Sequence, residues 1–145
     1  MAAGYLGKGT TVTYASTSGG LATATALANV GSISGPTASS EFLDVTAQNT
    51  AGKYRSFIAG VIDPGELSFP VNYDPADAGH QALHALLESQ AENVWELDFN
   101  GAIGSAITCT FPGVVTGCEV NAPVDGVITM NVTVKVTGEI TWPGE

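Results

Sequence analysis

His80 and His84, four residues apart, are the best candidates for holding a metal ion, because that spacing puts both rings on one face of a helix, close to Asp77. The pattern stops short of a site. No glutamate stands between them in the zincin arrangement, no cysteine is near, and no third ligand follows at a family spacing. A solvated helix face or stacked rings is the expectation, with no metal. Glu92, Glu96 and Asp98 are the candidate paired carboxylates, yet Glu96 and Asp98 lie two apart beside Trp95 and Leu97, which is the spacing of one polar strand face. Neither common phosphate-loop pattern nor Gly-x-Ser-x-Gly occurs, so phosphoryl and acyl transfer have no starting point. Cys109 and Cys118 are nine residues apart. A bridge between neighbouring strands would fit that spacing, but two free thiols are expected. Asn131-Val-Thr133 fits a glycosylation sequon but falls in the middle of a strand pattern. The expectation is therefore a chain that is not an enzyme, with no catalytic residues and no cofactor.

The bulk properties narrow the class. A chain of 145 residues has the size of one domain, and a domain of that length buries about 68 to 70% of its unfolded surface. Two cysteines are too few for a disulfide scaffold, which fits synthesis in a reducing cytoplasm. The N-terminus lacks a signal-type apolar run and nothing approaches the ~20 apolar residues of a membrane helix, so a soluble chain with no membrane role is expected. Four basic against fourteen acidic side chains give a net charge of -10. Such a chain cannot hold DNA or RNA by neutralising phosphates.

The elements are mostly β, because period-two alternation runs nearly everywhere. Residues 10–15 read as a short strand, 16–20 as a flexible turn and 22–33 as a weakly pairing stretch; the first forty residues are a flexible arm with strands. Residues 41–46 and 54–58 read as strands around the polar connector Ala47-Gln-Asn-Thr-Ala-Gly-Lys53. Residues 66–73 alternate cleanly, with Leu67, Phe69, Val71 and Tyr73 on one side, and Pro70 marks that strand as a sheet edge where a partner could dock. A helix over about residues 75–88 follows, with Asp74 as N-cap, Pro75 at its first position and an apolar stripe of Ala76, Leu83, Leu86 and Leu87. Strands at 94–99 and 105–111 form a hairpin through a turn at Asn100-Gly-Ala, and 114–120 is a further strand. After a turn at Pro123-Val-Asp-Gly126 the last strand places Ile128, Met130, Val132, Val134 and Val136 inward. No internal repeat occurs.

Three stretches, taken in order and spacing, resemble the major tail tube proteins of long, non-contractile-tailed bacteriophages. They are Asp44-Val-Thr46 with its Gly-containing loop, the passage from Gly60 to Leu83 containing Gly65-Glu-Leu-Ser-Phe and Asn72-Tyr-Asp-Pro, and the closing strand through Val134-Lys-Val-Thr-Gly-Glu-Ile140. The resemblance covers about residues 40 to 141. It implies a mainly β fold, a β-sandwich or barrel with one flanking α-helix, in a single tail tube domain spanning 1–145. It also implies a structural virion protein, a viral tail protein that self-assembles into stacked hexameric rings and forms the channel for DNA ejection. DNA would pass through without specific binding. Partners implied are the chain itself, a tape measure protein, a tail initiator or distal tail protein, and a tail terminator. A loop of that family reaches the adjacent ring, and by position it matches Ala47, Gln48, Asn49, Thr50, Ala51, Gly52, Lys53 and Arg55. The chain stops soon after the last strand, so a C-terminal decoration domain is not expected. Lumen-facing residues stay unassigned, because alternation alone does not say which strand face meets the axis. Two rivals remain: the tube protein of a contractile injection or secretion machine, and a secreted β-sandwich binding module.

Overall fold

The computed structural model describes residues 6–22, 24, 26–49, 52–99 and 107–143. Along them run β1 (Thr11–Ala15), β2 (Ser39–Asp44), β3 (Phe57–Asp63), β4 (Glu66–Asn72), α1 (Ala78–Ser89), β5 (Asn93–Asp98), β6 (Thr108–Asn121) and β7 (Thr129–Val136), with a 3-10 turn at Ser18–Ala22. Five strands form one antiparallel sheet in the order β1-β5-β6-β7-β4, while β2 and β3 form a separate antiparallel pair.

Alternation decides which side of the large sheet becomes the core. Leu67, Phe69 and Val71 of β4, Trp95 and Leu97 of β5, Phe111 and Val115 of β6, and Met130, Val132, Val134 and Val136 of β7 are all buried. Their neighbours in sequence point to the polar side. At about 1.5–3 kcal/mol for each fully buried large side chain, this single apolar face dominates the favourable side of folding. Helix α1 lies against β6 and brings Leu83 into the same cluster, with Leu86 and Leu87 packed at its margin. The expected mainly β fold with one flanking helix is what forms.

The sheet is not closed strand to strand. Residues 27–34 instead run between its two edges. Leu27 N–H donates to Val12 O at 2.9 Å on the β1 edge. On the β4 edge Gly31 N–H donates to Pro70 O at 2.7 Å, Ser34 and Ser68 exchange bonds at 2.8 Å, and Asn72 N–H donates to Asn29 O at 2.9 Å. Pro70 does lie on an edge strand, as its missing N–H requires. That edge is not a docking site for a partner: the chain's own residues 29–34 occupy it.

Four expectations are corrected. The helix begins at Ala78, not near 75, because Asp77 is the N-cap: its Oδ1 accepts from Gly79 N–H at 2.8 Å and His80 N–H at 3.2 Å. Asp74 accepts instead from Ala76 N–H in the preceding turn, and Ala76 is exposed outside the helix. Residues 108–121 form one strand rather than two, since Pro112-Gly113 marks no break. The β5 ladder ends at Gly113 and the β7 ladder begins there, so β6 is handed from one partner to the other. A Cβ on Gly113 would lie 2.8 Å from Val134 Cγ1, so the glycine serves close packing. The second strand of the small pair runs Phe57–Asp63 rather than 54–58. Ile128 is exposed, not inward. The turn expected at Asn100-Gly-Ala lies outside the described residues.

Candidate functional site

The groups that sequence marks for chemistry are committed to structure. Tyr73 closes β4's exit, and His80 stacks on its ring at a centroid distance of 6.1 Å while His84 meets its edge at 5.8 Å. His80 is fully buried rather than solvated. Asp74 N–H can only donate, so His80 Nδ1 accepts it at 3.0 Å, and the ring proton on Nε2 is donated to Ala28 O at 2.8 Å. His84 Nε2 lies 3.3 Å from the Tyr73 hydroxyl. With the Asp77 carboxylate capping the helix, this trio ties α1 to β4's exit and to residue 28. Among the described residues no group of three or more His, Cys, Asp or Glu could hold a metal ion.

Glu92 accepts from the Thr137 hydroxyl at 2.9 Å, while Glu96 and Asp98 share the polar side of β5. Burial, then the Asp98 charge, raises the Glu96 carboxyl above its ordinary range. Cys109 and Cys118 are not bridged to each other. They lie on the same strand, about 30 Å apart at ~3.3 Å per residue, so no bridge between neighbouring strands exists. An open groove is lined by Leu6, Val30, Ile33, Leu97 and Phe99, with Lys8 as its one charged lining residue among those described.

The feature that stands apart is the ribbon of β2 and β3. Its base leaves the body through Gly35 and Gly65, at φ of 103° and 75°. A side chain at either glycine would collide with backbone, Glu66 O at Gly35 and Thr37 O at Gly65. Asp63 Oδ1 accepts from Gly65 N–H at 2.9 Å and lies 3.6 Å from Lys135 Nζ. The Gly65 N–H bond first, then the Lys135 charge, hold the Asp63 carboxyl below the usual range.

Within the ribbon Phe42 faces Ala59 and Leu43 faces Ile58, so paired residues share a side. Phe42, Phe57 and Val61 therefore lie on one face, and Leu43, Ile58 and Ile62 on the other. All six are exposed, Val61 at 82%. A two-stranded ribbon with large apolar groups on both faces is not satisfied within one chain. Sequence reasoning missed this by ending the strand at 58; the signal was the unbroken run Phe57-Ile-Ala-Gly-Val-Ile62, which alternation would not produce in a strand with one wet face.

Residues 45–56 connect the two strands and carry the expected contact loop. Its stem is knit: Val45 N–H donates to Ser56 O at 2.9 Å, and Ser56 N–H donates to Thr46 Oγ1 at 2.8 Å. Hydrogen bonds from Thr46 hold the Asp44 carboxyl below its ordinary range, and Arg55 lies 3.7 Å from it. Ala47, Gln48, Asn49, Gly52, Lys53 and Arg55 are all exposed, as is Tyr54 at 87%. Thr50 and Ala51 lie outside the described residues.

A sequence model of the family described as "Lambda phage tail tube protein, TTP" matches residues 6–143. No curated protein matches the chain. Among solved structures the chain is similar to the SPP1 tail tube determined by solid-state NMR and cryo-EM, with TM-score 0.71 and 12% identity over 97% of this chain and 79% of that one. It is similar to the tail of an empty GTA particle refined with C6 symmetry, with TM-score 0.69 and 14% identity over 96% and 98%. The six-fold symmetrised baseplate of the anti-feeding prophage gives TM-score 0.69 and 11% identity over 100% of both chains.

Proposed function

The chain belongs to the lambda phage tail tube protein family, and from that premise we propose how its copies build a conduit. It is a structural subunit of a phage tail and resides in the virion. Six copies close a ring, rings stack head to tail, and genomic DNA passes through the lumen during ejection. The observation that carries this geometry is the β2–β3 ribbon, whose two exposed apolar faces need cover from other copies. A heterologous contact that rotates closes a ring, and one that translates extends a filament.

The net charge of -10 suits a passage for DNA, because an acidic wall repels phosphates and leaves the polymer free to slide. Residues 1–145 act as one tail tube domain without catalysing a reaction. The loop of Ala47, Gln48, Asn49, Thr50, Ala51, Gly52, Lys53 and Arg55 makes the contact between rings. A tape measure protein inside the tube, an initiator at one end and a terminator at the other are the partners that such a polymer requires. The likeness to the anti-feeding prophage baseplate favours a second reading, a tube of a contractile machine, which shares the fold but differs in what surrounds it.

Electron microscopy of the purified chain at rising concentration, alone and with a tail initiator, tests the proposal. Stacked six-fold rings are expected, and a chain that stays monomeric under every condition refutes it. Deleting residues 49–52 should leave a folded monomer that no longer elongates. Tubes of normal length from that variant would reject the loop assignment.

A further inference from the structure

The β2–β3 ribbon is rooted at one end of the β4–β7 ladder, and the β6–β7 turn lies at the other. At one end Glu66 pairs with Lys135, beside the point where the ribbon leaves the body; at the other Asn72 pairs with Thr129, where the β6–β7 turn begins. Six residue steps at ~3.3 Å each separate the two ends by about 20 Å. The ribbon's connector presents Tyr54 between Lys53 and Arg55, with Val45 and Phe57 exposed at its stem. The end of β6 and the turn after it present Val120, Val124, Val127 and Ile128, all exposed, Val124 completely. Glu119 and Asp125 are exposed in the same segment.

Charge limits how copies of this chain can meet. With fourteen acidic and four basic side chains, most pairs of surfaces repel each other. The four cations are Lys8, Lys53, Arg55 and Lys135. Within the chain Lys135 lies 3.6 Å from Asp63 and Arg55 lies 3.7 Å from Asp44, while Lys53 and Arg55 are both exposed on the projecting connector. The connector therefore combines an aromatic group with positive charge, and the turn combines aliphatic groups with negative charge. An apolar centre with a charged rim is the usual anatomy of a specific interface.

We propose that Lys53, Tyr54 and Arg55 seat on the end of β6 and the turn after it, residues 119–128, of a copy in the adjacent ring. This rests on the tube reading above and names the surface that receives its loop. The contact is heterologous, one end of a subunit against the opposite end of the next, so it propagates without limit along the tube axis.

Two doubly reversed variants test it: Lys53→Glu with Arg55→Glu, and Glu119→Lys with Asp125→Lys. All four positions are exposed, and circular dichroism of each monomer checks the fold. Each variant alone should form single rings that do not stack, with the critical concentration for tubes raised on the order of tenfold or more by facing like charges. An equimolar mixture should recover to within about threefold of wild type, because each variant's connector then meets an opposite charge on the other's turn. Variants that stack alone at the wild-type concentration, variants that lose single rings as well, or a mixture no better than its components would each overturn the contact. A wild-type chain that forms no tubes at all defeats the tube reading itself, which keeps the two failures distinguishable.

Discussion

Replacing His80 with phenylalanine keeps a flat ring of similar size at a position with no solvent exposure and removes both of its hydrogen bonds. The loss falls on Asp74 N–H and Ala28 O, which hold His80 at 3.0 and 2.8 Å. Leaving a buried backbone group without a partner costs about 1–3 kcal/mol. Asp74 is an exposed residue, so water can reclaim part of its share, and a total of about 2–4 kcal/mol follows. For a domain of this size that corresponds to a fall in Tm of roughly 5–15 °C. His84→Ala serves as the contrast: it loses one 3.3 Å bond to Tyr73 and an edge contact, so about 1 kcal/mol or less is expected. Urea unfolding of the monomeric form of each variant, followed by tryptophan fluorescence, measures both. If His80→Phe unfolds within about 0.5 kcal/mol of wild type, the tie between helix, β4 exit and residue 28 carries no weight and the account of α1 is wrong.

Gly113→Ala should destabilise by about 1–3 kcal/mol through overpacking, since the added carbon meets Val134 Cγ1 at 2.8 Å and Lys135 O at 3.1 Å; the shift in urea midpoint checks it. Asp77→Ala should cost about 0.5–2 kcal/mol by removing the cap of α1, read in the same unfolding experiment. The carboxylates of Asp63 and Glu96 should bend the stability profile in opposite directions. Asp63's folded value is lowered, so its contribution is present above the unfolded value and lost as pH falls through the folded one; Asp63→Asn should flatten the acid side of the profile. Glu96's folded value is raised, so its ionisation opposes folding above that value and is relieved by acid. Glu96→Gln should therefore be more stable than wild type at neutral pH, and a less stable variant would count against burial as the cause.

Alternation by itself determined most of the strand side chains that fill the core, with Ile128 wrongly counted among them. Leu67, Phe69, Val71, Trp95, Leu97 and Phe111 follow directly from period-two spacing, because strand geometry forces successive residues to opposite faces whatever the partner strand. The order and spacing of its motifs also pointed to the tail tube family. What sequence left open depends on contacts distant along the chain. Pro112-Gly113 resembles a turn until Trp95 and Val134 pack against the glycine and two ladders meet there. Pro70 suggests an open edge until residues 29–34 cover it. His80 and His84 resemble a ligand pair until the carbonyl of Ala28, 52 residues away, accepts a hydrogen bond from the His80 ring. The ribbon was misread for the opposite reason. Its apolar run is exposed on both faces among the described residues, so local periodicity had no wet face to mark and only the folded body reveals it. Local geometry is written in neighbouring residues, whereas the fate of an edge, a buried ring or an exposed apolar strand is fixed by whatever the rest of the chain brings against it.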